Sequence, residues 1–173
     1  MQIDHHGAHI DQMMRQTRAH HVQLSMMADR KASMLITVCA IIIPLTAHFL
    51  SNPHFCLVAV TLICFSILTM LLAIYTAMPS IHNPKNVDIA APSFNLLFFG
   101  DFINMDYEKY AHLMEDVCND PSKVYEVQIQ EIYFLGQYLV NHKYKYLRRA
   151  YLAFLGGIVT SGIVWIVTAI MIS

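Results

Sequence analysis

The sequence is poor in charge, and the charge it has is missing from two long stretches. Asp, Glu, Lys and Arg make up 13% of its 173 residues, against about 25% in a soluble domain. None falls between Lys31 and Lys85, and none follows Arg149. The first gap has room for two apolar helices of about 20 residues with a tight turn between them, and the second for one. A soluble core does not segregate charge in this way. Cysteine is scarce as well: Cys39, Cys56 and Cys64 lie inside the uncharged stretch and Cys118 stands alone. There is therefore no CxxC pair or disulfide framework, which suits a reducing cytoplasm. A net charge of -1 and a pI near 6.8 exclude wholesale coating of nucleic acid, although a local basic patch stays open. No GxSxG, phosphate-binding glycine loop, HExxH or deaminase signature occurs, so no enzyme, cofactor or metal centre is expected.

What is present reads as helix. Ile10, Met13, Met14, Val22, Leu24 and Met26 are spaced among Gln, Arg and His over residues 8 to 31 with no Gly or Pro between them, which predicts an N-terminal helix running straight into the first span. The first apolar run lacks a signal peptide's short core and cleavage site and is expected to stay as an anchor. Span one is placed at 32–50, with Pro44 kinking it or loosening its last turn. Ser51 to His54 make the turn, and span two covers 55–78. Pro79, Ser80, His82, Asn83 and Pro84 stop it. In the section 79–149, the run Phe94, Leu96, Leu97, Phe98, Phe99 is too short to span and is expected to pack on helices or lie at the interface. Asp106 is expected to cap a helix through Cys118. Asn119 and Asp120 then turn the chain, and Pro121 opens a long helix. With a packing seam at Ile129, Ile132, Gly136 and Leu139, that helix is predicted to continue through span three, 150–172, giving a stalk of ~40 Å before Arg149. The fold class is all-α integral membrane: three transmembrane helices with a cytoplasmic helical domain between the second and third.

Orientation follows from the basic residues at the span ends. Arg15, Arg18, Arg30 and Lys31 precede span one, and Lys143, Lys145, Arg148 and Arg149 precede span three, while the outer turn and the C-terminal tail have none. The positive-inside rule puts residues 1–31 and 79–149 in the cytoplasm and the C-terminus outside.

Four features carry candidate chemistry. Asp29 enters the interface between small residues and beside Arg30 and Lys31; it is either an anchor with an ion pair or part of a ring of charge at a pore mouth. Ser33, Thr37, Ala40 and Pro44 form one small or polar stripe that either packs helices or lines water, whereas Gly156, Gly157, Thr160 and Ser161 read as helix packing. His5, His6 and His9, followed by His20 and His21, lack an acidic or Cys partner at matching spacing and read as a solvated or pH-sensitive terminus. The run His142 to Arg149 interleaves bases with tyrosines, which either anchors the helix in anionic lipid or holds phosphates and stacks on bases.

ADRKASMLITV leading into span one, NLLFFGDF after span two, and QYLVNHKYKYLRRAYLAFL before span three resemble the Pycsar-effector type of bacterial transmembrane domain over roughly residues 20 to 172. The resemblance implies an antiphage defence effector that damages the inner membrane when a nucleotide signal from a partner nucleotidyltransferase or cyclase changes. Relatives often carry a fused cyclic-nucleotide-binding domain, which is absent from this sequence. That favours stand-alone effectors similar to the Hailong channel type, controlled by single-stranded oligonucleotide. On this reading the chain is a symmetric homo-oligomer, a tetramer by expectation. Asp29, Ser33 and Thr37 line its vestibule and pore, and Lys143, Lys145, Tyr146, Arg148 and Arg149 receive the anionic ligand. The rival readings are a non-conducting scaffold recruiting a partner through its cytoplasmic helices, and a small proton-coupled transporter using Asp29 and His48.

Overall fold

The computed structural model describes residues 7–79, 91 and 94–172. Among these every regular element is helical: α1 (Ala8–Ala47), a 3-10 turn (His48–Ser51), α2 (Cys56–Ala77), α3 (Phe99–Phe102), α4 (Tyr107–Cys118), α5 (Pro121–Tyr138), a π-helical turn (Leu139–Tyr144) and α6 (Lys145–Ile172). Three stretches are long and apolar enough to cross a membrane, within Ala8–Ser51, Cys56–Ala77 and Pro121–Met171. The all-α, three-span architecture is thus what the chain adopts. It divides into two compact units, Leu24–Met78 with Leu139–Ser173, and Met1–Gln23 with Pro79–Tyr138. His5 and His6, Ser80 to Pro84, and Pro92 lie outside the described residues.

The first unit is the three-helix membrane body. Pro44 sits inside α1 and withholds one amide from the ladder; the helix ends at Ala47 and its continuation tightens to the 3-10 turn. Asn52 then accepts the His54 amide on its side-chain oxygen at 3.0 Å, an Asx turn that reverses the chain. At the other end of α2, Met78 is extended (φ -65°, ψ 130°), as a residue before proline must be.

Small side chains let these helices approach. Ala28, Ala32 and Leu35 of α1, Ala73 of α2, and Leu147 and Ala150 of α6 form one buried cluster. Along α2 the buried residues are Ala59, Ser66, Thr69, Ala73 and Thr76, a small-residue seam against α6. The two helices run antiparallel, since Tyr75 meets Tyr146 near one end and Phe65 lies over Gly157 further along. The packing role read for Gly157 is therefore found here: a Cβ on it would stand 2.5 Å from that of Phe65. Two of the three hydroxyls in the seam return to their own helix, Thr69 donating to the Phe65 carbonyl at 2.8 Å and Thr76 to that of Leu72 at 3.0 Å, so their burial costs little, whereas the buried Ser66 hydroxyl has no partner among the described residues. Outward-facing Leu57, Leu71, Ile163 and Ile170 are well exposed, as a lipid-facing surface requires.

The second unit is built on α4, α5 and the start of α1. Tyr125 donates to Asp11 at 2.7 Å, Arg18 meets Glu131 at 2.9 Å, and His21 lies beside Gly136. These pairs advance together along both chains, so this part of α1 runs parallel to α5. Asp106 occupies the N-cap position of α4 with extended backbone, but its side chain makes no capping bond. The carboxylate that does cap is Asp120, which accepts the Ser122 amide at 2.9 Å, with Pro121 at the first helical position. The apolar run after Phe94 folds back onto this unit: Gln130 donates to the Phe94 carbonyl at 2.8 Å, Asp101 accepts the Asn95 amide at 2.8 Å, and Leu96 is buried.

The helix from Pro121 does not stay α throughout. Leu139–Tyr144 is π-helical, although no Gly or Pro in the sequence marks the place.

Two outcomes follow from this packing. Gly157→Ala gains some helix propensity but must push Phe65 aside, so we expect a net loss of about 1–3 kcal/mol in detergent unfolding. Gly162→Ala, which has open space, should be neutral or stabilising. The hydrogen bond to Asp11, and then burial, raise the Tyr125 pKa above the ordinary tyrosine value. The stability this contributes is present below the unfolded pKa of about 10 and is lost as pH rises through the folded one. Thermal melts should therefore fall more steeply above pH 10 in the wild type than in Tyr125→Phe.

Candidate functional site

The charged rim of the three-helix body is where the candidate residues gather. Because α1 and α6 run the same way there, with Tyr144 donating to the Leu24 carbonyl at 3.3 Å, the segment 29–31 and the segment 143–149 stand at one end of the body and the 51–54 turn at the other.

Two residues that the sequence assigned to different roles are joined. Lys143 donates to both oxygens of Asp29, at 2.7 and 2.6 Å. The lysine side chain is 11% exposed and the carboxylate 39%, so the pair is half-sheltered. Its geometry is that of a charge-assisted bond. Lys143 points inward because it shares the packed face of α6: Lys143, Leu147 and Ala150 are all buried and follow one another at the α-helical steps of four and three. Asp29 therefore carries its own counter-ion, and Lys143 is committed to it.

The remaining bases stay outside. Lys145, Arg148 and Arg149 are exposed, with Lys145 and Arg149 one turn apart on the side of the helix turned away from Leu147. Tyr146 is half-buried, its ring 4.4 Å from that of Tyr75 and under the Arg149 guanidinium at 5.4 Å. This builds a short aromatic and cationic stack at the rim. Tyr75 is the member that reading the sequence missed. The available signal was an aromatic near the end of span two, at the same membrane level as the Tyr-rich run before span three.

Along α1, burial divides the helix cleanly. Ala28, Ala32, Leu35 and Cys39 are buried, whereas Ser33, Thr37, Ala40 and Pro44 are not. The stripe of small and polar groups thus does not pack within the subunit. Thr37 donates to the Ser33 carbonyl at 3.0 Å, which leaves its oxygen able to accept. Asp29 and His48 lie about 28 Å apart along the helix axis at 1.5 Å per residue, too far for a direct relay. Among the described residues no group of three His, Cys, Asp or Glu is placed to hold a metal.

A family model described as Pycsar effector protein domain matches residues 12–172. The chain belongs to that family. No curated protein and no solved structure matches significantly. Membership makes this an antiphage defence membrane effector rather than a member of a known enzyme family, and the three apolar helices are its membrane part.

The pair at the rim has a measurable weight. Lys143→Met leaves a partly sheltered carboxylate without its partner, which should cost about 1–3 kcal/mol, less than for a fully buried pair because Asp29 keeps some water. Lys145→Met should change unfolding in detergent by no more than about 0.5 kcal/mol.

Proposed function

We propose that this effector is a homo-oligomeric ion channel of the bacterial inner membrane, gated by a nucleotide or single-stranded oligonucleotide and depolarising the cell when open. The observation that carries the reading is the outward polar stripe on α1. Ser33, Thr37, Ala40 and Pro44 lie off the packed face of the helix. Thr37 already donates to its own helix, but lipid tails offer the Ser33 hydroxyl and a proline-freed carbonyl no partner, so several copies facing that stripe inward around a water path would satisfy them. Three spans from one chain leave no room for such a path alone. A tetramer remains the expected assembly, with residues 1–31 and 79–149 on the cytoplasmic side.

In this arrangement Ser33 and Thr37 line the pore, and Asp29 stands at the vestibule partly neutralised by Lys143. Lys145, Arg148 and Arg149 with the Tyr146 ring offer phosphate contacts and a stacking face to an anionic ligand made by a partner nucleotidyltransferase. Lys143 acts on the ligand only indirectly, by neutralising Asp29. The scaffold reading lacks a feature of comparable specificity, and the separation of Asp29 from His48 along α1 gives the transporter reading less support than the stripe gives a channel.

The test is ion flux through reconstituted protein with and without single-stranded oligonucleotide. We expect a conductance that the oligonucleotide changes; silence under both conditions would sink the channel reading. Arg148→Glu combined with Arg149→Glu should weaken oligonucleotide binding. It should also lower the slope of log Kd against log salt by at least about 1.4, since each phosphate left unneutralised removes about 0.7. Unchanged binding would return these residues to lipid anchoring alone.

A further inference from the structure

The membrane unit, Leu24–Met78 with Leu139–Ser173, holds a single acid, Asp29, among the bases Arg30, Lys31, Lys143, Lys145, Arg148 and Arg149. That acid is engaged. Both its oxygens accept from Lys143, so the pair carries no net charge. The other bases are all exposed, and none forms an ion pair among the described residues, where the pairs are Arg18–Glu131, Lys123–Asp116 and Lys143–Asp29. The turn at the opposite end of the unit has no Asp, Glu, Lys or Arg to oppose them. Bases beside a span are what topology requires, so their number says nothing about ions. Their direction does.

On α1, at about 100° per residue, Arg30 lies about 50° from the middle of the stripe formed by Ser33, Thr37, Ala40 and Pro44, and Lys31 about 150° from it. Asp29 flanks the stripe on its other side, toward the buried Ala28 and Ala32, where Lys143 meets it. The free ionised group at the head of the stripe is therefore a guanidinium. We propose that the ion this effector passes is a small monovalent anion such as chloride, and that Arg30 sets the choice. The inference rests on the channel reading above, with the stripe turned to the water path. Copies of Arg30 around the axis then form a ring of positive charge, and such rings admit anions and hold cations back. Arg30 stands about 4.5 Å along the axis from Ser33, inside the Debye length of about 8 Å at physiological salt, so its field reaches the pore head largely unscreened. Asp29 adds no opposing field while Lys143 is bonded to it.

Reversal potentials of the reconstituted full chain in a roughly tenfold KCl gradient, recorded with and without single-stranded oligonucleotide, test this. The wild type should give a chloride-to-potassium permeability ratio of about 5 or more. Arg30→Gln should bring the ratio close to about 1, and Arg30→Glu should invert it; the milder variant keeps the test decisive if charge reversal disturbs insertion. Lys31→Gln, on the far side of the helix, should keep the wild-type ratio. Lys143→Met frees the Asp29 charge and should lower the ratio about twofold or more, whereas Asp29→Asn should not lower it. A wild-type ratio of 1 or below, a ratio that Arg30→Gln leaves unchanged, or an equal fall in Lys31→Gln overturns the proposal. Silence under both ligand conditions defeats the channel reading and this inference with it, whereas a current carried by potassium defeats this inference alone.

Discussion

Inside a bilayer, apolar side chains gain nothing by leaving lipid for one another, so helices associate only where their surfaces fit closely. Everything in the membrane body depends on that constraint. Alanine at 28, 32, 73 and 150, and glycine at 157 under Phe65, are the positions at which three helices can come near enough to gain dispersion contacts. Larger residues there would hold the helices apart. Once these positions are fixed, the rotation of each helix is fixed with them. The outward faces of α1, including its polar stripe, are therefore a consequence of where the alanines lie.

The same packing sets the rim. Because α1 and α6 meet through Ala28, Ala32, Leu147 and Ala150, Asp29 and Lys143 are brought to the same level. Two opposite charges at the edge of a low-dielectric layer are costly apart and favourable together. Lys143 points inward there because it lies on the same face as Leu147 and Ala150, four and seven residues before them. The bases that follow, Lys145, Arg148 and Arg149, keep their hydration on the outer side of the helix, where anionic lipid headgroups or a phosphate ligand have access to them.

Much of this was legible from the chain. Charge gaps give three spans because hydrocarbon excludes ionised groups whatever the tertiary arrangement, and Pro79, Pro121 and Asp120 mark helix ends through local chemistry. Asp106 shows the limit of that local logic. Its backbone takes the N-cap conformation, yet its carboxylate does not bond the helix, since cap identity guides conformation without requiring the bond. The run from Phe94 to Phe99 was readable as needing cover, but its cover, folded back onto α5 through Gln130, depended on residues far along the sequence.

By itself, then, the sequence determined the all-helical class, the number of spans, the clustering of bases at their ends and the resemblance to the Pycsar effector domain family, because each depends on composition and short-range order. Only the tertiary structure decided that Asp29 and Lys143 form one pair, that Tyr75 joins Tyr146, that the Ser33 to Pro44 stripe faces outward, and that the helix before span three takes a π turn. These depend on the rotation of one helix against another. A linear pattern shows which residues share a face of a helix, but it does not say which face its neighbour will take.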